Sequence, residues 1–143
     1  LADVESSVAR SVSGIAPARL TPFRLISLPR RGPARLVAVE TDAPPSVLEI
    51  HRRLAHRLAR NPGQHSADRF LPHLTLGRFT HPAQGLDVDE SITVEPFPVE
   101  RVALVRSVLH ASGAEHRVLR EFALDGDRTS SSAPSGGGED RHP

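Results

Sequence analysis

The chain of 143 residues predicts an α+β fold, on three observations. Two apolar, β-branched-rich runs, 23–28 and 35–40, flank the turn signal Pro29-Arg30-Arg31-Gly32-Pro33 and read as a hairpin. Apolar residues recur at helical spacing twice, over Leu1–Ile15 and over Val47–Leu58. The stretch Phe70-Leu71-Pro72-His73-Leu74-Thr75-Leu76-Gly77-Arg78 alternates polar and apolar side chains as a half-buried strand does.

In chain order, Leu1, Val4, Val8, Val12 and Ile15 form one stripe of an amphipathic helix that lacks a clear amino-terminal cap and ends near Gly14 and Pro17. The hairpin follows. Pro44 and Pro45 then open the second helix, along which Val47, Ile50, Leu54 and Leu58 keep helical intervals until Asn61-Pro62-Gly63 stops the run. His51, Arg52, Arg53, His56, Arg57 and Arg60 decorate this helix as a solvated basic face. The five-residue step from His51 to His56 is not the i, i+4 spacing that puts two imidazoles on one metal. After a polar loop over 62–69, the motif strand is expected from about Leu71 to Phe79, with His81-Pro82-Ala83-Gln84-Gly85 as a loop. Ser91–Val94 reads as a short strand, Val99–Leu109 as a longer one, and Arg117–Leu124 as the last. From Asp125 onward the chain is mostly Ser, Gly, Pro and charged residues, with Ala133 its only apolar side chain, too poor in apolar surface to offset its ordering entropy. A folded domain over 1–124 and a disordered tail over 125–143 are therefore expected.

Composition bounds the rest. A hydrophobic content of 38% suffices for one core, built from Leu, Val, Ile and Ala because there are five Phe and no Trp or Tyr. Absence of Cys removes disulfides and thiolate metal sites, and no signal or membrane-spanning apolar run is present, so a cytoplasmic protein with no membrane partner is the expectation. All 18 basic residues are Arg, nearly balanced by 17 acids, which leaves no strong field for a long polyanion and looks like the mark of a GC-rich coding sequence. The chain begins with Leu and contains no Met, which suggests an excised fragment or a non-standard start codon.

The motif strand carries the chemistry. Alternation sets His73, Thr75 and Gly77 on one side and Leu74 and Leu76 on the other, where they are expected to anchor a core. His73 and Thr75 then stand about 6.6 Å apart along the strand, a span that one phosphate can bridge between ring nitrogen and hydroxyl. A bare His-x-Thr triplet arises by chance roughly 0.3 times in a chain of this composition, so the residues alone favour an ordinary strand with two half-exposed polar side chains over a site.

The context of the triplet resembles the second His-x-Thr-x signature of the 2H phosphoesterases, specifically the RNA 2′,3′-cyclic phosphodiesterases also called 2′-5′ RNA ligases. The resemblance covers residues 1 to about 124, with the order strand, hairpin, strand, helix, His-Leu-Thr-Leu strand, then the strand of residues 98–107, in which Arg106 and Ser107 occupy the place of a family Arg-Ser pair. It implies a two-lobed 2H phosphoesterase (LigT-like) fold of antiparallel sheets flanked by helices. It further implies a first motif on a strand before Leu1, so the chain is expected to lack amino-terminal strand structure and one catalytic His; no His precedes His51.

By the same resemblance the substrate is an RNA or oligonucleotide with a 2′,3′-cyclic phosphate end, and the product is a 2′-phosphate. Attack by water needs one proton removed and another delivered to the departing ribose oxygen, in line through phosphorus. Imidazoles, which titrate near pH 6.5, divide that labour without metal or cofactor. His73 is expected to be one carrier, as acid or as base, and Thr75 to donate its hydroxyl to a non-bridging oxygen. Arg78, five residues after His73, fills the place of the family's phosphate-binding Arg; simple alternation sets it on the wrong face, so it needs a bulge, for which Gly77 is the obvious site. Phe79 shares the His73 face only without a bulge. The runner-up function is a catalytically inactive module that binds a nucleotide or RNA end. A monomer is expected in either case.

Overall fold

The computed structural model describes residues 1–59, 70–111 and 113–126. Helix α1 spans Ala2–Val12 and α2 Pro45–Leu58. The strands are β1 Ala18–Leu20, β2 Pro22–Leu28, β3 Ala34–Thr41, β4 His73–Ala83, β5 Asp89–Ser91, β6 Phe97–Val99, β7 Arg101–His110 and β8 Gly113–Ala123. Every strand pairing is antiparallel, so the α+β expectation holds. Among the described residues no helix is long and apolar enough to cross a membrane.

Among the described residues two clusters of buried side chains organise the fold. In the first, Val8 and Val12 of α1 and Ile50 of α2 close on Ile15, Phe122 and Leu124, with Leu54, Val99, Val102 and Leu104 packed around them. Of the stripes read from the sequence, Val8, Val12, Ile15, Ile50 and Leu54 join this core, while Leu1, Val4 and Leu58 stay exposed. Ser7 and Ser11 lie buried on the same side of α1, where an apolar residue would be usual; each hydroxyl donates to the carbonyl four residues back, at 2.8 Å, which satisfies a polar group that burial would otherwise penalise. Leu1 stands at the amino-terminal cap of α1 and supplies no side-chain hydrogen bond. At the other end of the helix Arg53 of α2 donates to the carbonyls of Ser13 at 2.9 Å and Ser11 at 3.4 Å, groups that the helix itself leaves without partners. Arg53 is thus a clamp between the helices rather than part of a purely solvated face.

The second cluster lies on a four-stranded sheet ordered β4-β3-β2-β5. Ile26 and Ala38 are fully enclosed there, joined by Leu36, with Leu28 and Leu71 against them. Strand β2 meets β3 through the expected hairpin, Leu28 opposite Leu36 and Ile26 opposite Ala38. Strands β1 and β6 form a separate pair, and β7 and β8 a long hairpin.

Some boundaries moved. Strand β4 runs on through His81, Pro82 and Ala83, where the sequence suggested a loop; as a sheet edge it accommodates a proline that an inner strand would not. The short strand falls at Asp89–Ser91, set by pairing with β2, not at Ser91–Val94. The long strand divides into β6 and β7, and β8 begins four residues earlier than Arg117. The polar loop of 62–69 lies outside the described residues, as does the tail from 127; Asp125 and Gly126 are described, and Gly126 donates to the Ile15 carbonyl at 2.9 Å. A Cβ on Gly126 would meet the Gly14 carbonyl oxygen at 2.6 Å and the Ala16 nitrogen at 2.5 Å, so this position has room for glycine alone.

Candidate functional site

The motif enters β4 from Leu71 and Pro72, the latter accepting the Thr41 amide at 3.0 Å, so the residue without an N–H still closes the ladder through its carbonyl. His73 then lies opposite Glu40 and Thr75 opposite Ala38. At the next step the register slips: Gly77, not Leu76, lies opposite Val37, and Arg78 opposite Leu36. Leu76 is therefore the extra residue of a β-bulge.

That bulge decides which side chains share a face. Cross-strand partners point to the same side of a sheet, and Leu36, Ala38 and Glu40 alternate along β3 on one side. His73, Thr75 and Arg78 follow their partners onto that side, so the bulge brings together the three residues singled out from the sequence. Gly77 goes to the opposite face with Val37, and by the same shift Phe79 leaves the His73 face. The expectation that Gly77 lines the His73 side fails for this reason.

A second expectation fails more plainly. Leu74 is 44% and Leu76 63% exposed, so neither anchors a core. Periodicity set them on the side of the strand away from His73, but β4 is the edge of its sheet, and both side chains stand open there although Val39, the partner of Leu74 on the inner strand, is buried.

The imidazole of His73 is exposed, and its Nδ1 stands 2.8 Å from the Leu71 carbonyl oxygen. Because a carbonyl can only accept, Nδ1 carries the hydrogen, and Nε2 is left as the atom that takes or gives a proton. Among the described residues neither the Thr75 hydroxyl nor the Arg78 guanidinium makes a side-chain hydrogen bond, so both can turn to an oxyanion on this face.

Beside this trio lies a network that sequence reasoning missed. Register runs Arg24 of β2, Glu40 of β3 and His73 of β4 in one row across the sheet. Arg30, from the hairpin turn, reaches Asp89 of β5 at 3.2 Å and Glu40 at 3.9 Å, and Arg24 reaches Asp89 at 3.6 Å. Arg24, Arg30, Glu40 and Leu71 line a cavity of about 280 Å³. The hairpin signal could have paired Arg24 with Glu40, but nothing local in the sequence sets β3 against β4. A larger cavity of about 460 Å³ is lined by Pro17, Glu100, Arg101, Glu121, Ala123 and Leu124, with no His and no hydroxyl side chain among the described residues there.

Two further histidines have structural contacts. His51 stacks on Phe70 with ring centroids 4.0 Å apart, tying α2 to the segment that leads into β4. Ser107 shares a 2.8 Å hydrogen bond with Nδ1 of His116 across the β7–β8 hairpin, while Arg106 lies opposite Arg117. On α2, Glu49 takes two 2.7 Å hydrogen bonds from Arg52 and one of 2.7 Å from Arg53; Arg52 first and Arg53 second hold its carboxyl well below the usual range, at about 2.

Comparison with known proteins bears on the family and the fold. A family model described as the 2′-5′ RNA ligase superfamily matches residues 1–111. Among solved structures, the crystal structure of TT0787 of Thermus thermophilus is similar, at 27% identity and a TM-score of 0.67, covering 90% of this chain and 72% of that one. No curated protein matches.

Proposed function

The chain belongs to the 2′-5′ RNA ligase superfamily, within the 2H phosphoesterases, and on that basis we propose that it is an RNA 2′,3′-cyclic phosphodiesterase working as a monomer on RNA or oligonucleotide ends. The observation that carries this reading is the bulge at Leu76, which sets an imidazole, a hydroxyl and a guanidinium on one open face. A cyclic phosphate fits that trio. Its non-bridging oxygens accept from Thr75 and from the Arg78 fork, whose planar donors match an oxyanion. Nε2 of His73 exchanges a proton with either the attacking water or the departing ribose oxygen, while the Nδ1–H bond to Leu71 fixes the ring's direction. In-line displacement asks for a second proton carrier across the phosphorus, and His73 supplies one of the two.

One observation favours a second reading: the 143 residues contain a single His-x-Thr. A module that binds the phosphate end without turning it over needs only the trio already described.

Turnover of nucleoside 2′,3′-cyclic phosphates followed by phosphorus NMR separates the two. The enzyme reading expects a 2′-phosphate product and a rate that falls about 10²- to 10⁴-fold in His73→Ala. Binding of a nucleoside 2′-phosphate with no turnover gives the module; turnover undiminished in His73→Ala refutes both assignments of that ring.

A further inference from the structure

The cavity beside His73 has the wrong charge for a second phosphate and the right one for a base. Its two guanidiniums, Arg24 and Arg30, are offset by Asp89 and Glu40, and an anion entering there would displace the Arg30–Asp89 pair and face the Glu40 carboxylate. A neutral heterocycle carrying both donors and acceptors meets no such conflict. Leu71 offers it an apolar wall.

Glu40 is the reading group. Its side chain is only 13% exposed, and its nearest cation, Arg30, stands at 3.9 Å, beyond hydrogen-bond length, so the carboxylate oxygens keep acceptor capacity inside a largely desolvated site. Position supports the same role. Glu40 is the cross-strand partner of His73, and Arg24 the next residue along that row, so the cavity begins about 5 Å and ends about 10 Å from the motif strand. That is the reach of a ribose between its phosphate and its base.

We infer that this cavity seats the base of the terminal nucleotide and that Glu40 makes it prefer guanine. The inference rests on the proposed cyclic-phosphate site at His73, Thr75 and Arg78. Guanine alone among the four bases presents two neighbouring donors, N1–H and N2–H, which a carboxylate accepts side by side, and its O6 and N7 acceptors suit a guanidinium fork. Adenine and cytosine each set an acceptor next to their exocyclic donor, and uracil flanks its single N–H with carbonyls. A carboxylate repels all three arrangements in part.

Calorimetric titration of the intact protein with the four nucleoside 2′-phosphates tests this without requiring turnover. Guanosine 2′-phosphate is expected to bind about tenfold or more tightly than the others, and the preference to fall below about threefold in Glu40→Gln while the affinity for uridine 2′-phosphate stays within about twofold. Equal binding of the four by the unmodified protein overturns the inference, whatever the variant does. So does a guanine preference that survives in Glu40→Gln, or a loss shared equally by all four nucleotides, or no binding at all. Hydrolysis without base preference keeps the phosphodiesterase and removes the base site; guanine-selective binding without hydrolysis does the reverse.

Discussion

Strands β3 and β4 lie side by side, joined by the same ladder, yet β3 buries five of its eight residues while ten consecutive residues of β4, His73 to Pro82, stay exposed. Their sequences differ as well, β3 running apolar from Leu36 to Val39 and β4 alternating polar and apolar from His73 to Leu76. Sheet order adds to the difference: β3 has a strand on each side and Leu36 and Ala38 in a closed cluster, whereas β4 has β3 on one side only. Stability and chemistry are therefore divided between neighbours. The inner strands hold the sheet together through Ile26, Leu36 and Ala38, and the edge strand presents groups that must stay open to a substrate.

The strongest test of that division is Ile26→Ala. Ile26 is fully enclosed, so its truncation is expected to cost about 2–5 kcal/mol of unfolding free energy in denaturant melts. A loss under about 1 kcal/mol would mean that the sheet has no closed interior and the contrast with β4 is false. Thr75→Val sharpens the contrast from the other side. Removing one donor from a developing oxyanion is expected to lower turnover of a nucleoside 2′,3′-cyclic phosphate about 10²-fold, equal to about 2.7 kcal/mol, while unfolding free energy shifts by less than about 0.5 kcal/mol because the residue is exposed. Stability lost in step with rate would make Thr75 a packing residue.

The smallest effect belongs to Glu49. Its folded carboxyl, held down to about 2 from an ordinary 4.5 by Arg52 and then Arg53, contributes stability that is complete above pH 4.5 and drains away as the pH falls toward 2. Because the group is open to solvent, the change is expected to be slight and weakened further by salt. Thermal melts between pH 6 and pH 2.5, compared with Glu49→Gln, check the sign: the variant should lose less stability on acidification than the parent protein.

Much of the architecture was legible from local pattern. The valine stripe of α1, the Pro44-Pro45 start of α2 and the Pro29–Pro33 turn each encode their element within a few residues, and all three elements form where expected. The motif trio was legible as residue types, and the need for a bulge near Gly77 followed from counting faces before any partner strand was known. What escaped was whatever depends on strands distant in sequence. Leu74 and Leu76 have the alternation of core residues, but whether a face is covered is a property of the neighbouring layer, which periodicity does not carry. The Arg24, Arg30, Glu40 and Asp89 network is assembled from three strands and a turn, none of whose side chains is unusual alone.

The slip at Leu76 makes the site a matter of parity. With an odd separation, His73 and Arg78 would look away from each other on any regular ribbon, and one inserted residue restores an even count. Substituting Leu76 leaves that arithmetic untouched, but excising it would rotate Arg78 and everything after it by half a turn, while the string His-Leu-Thr remained intact for any pattern search to find.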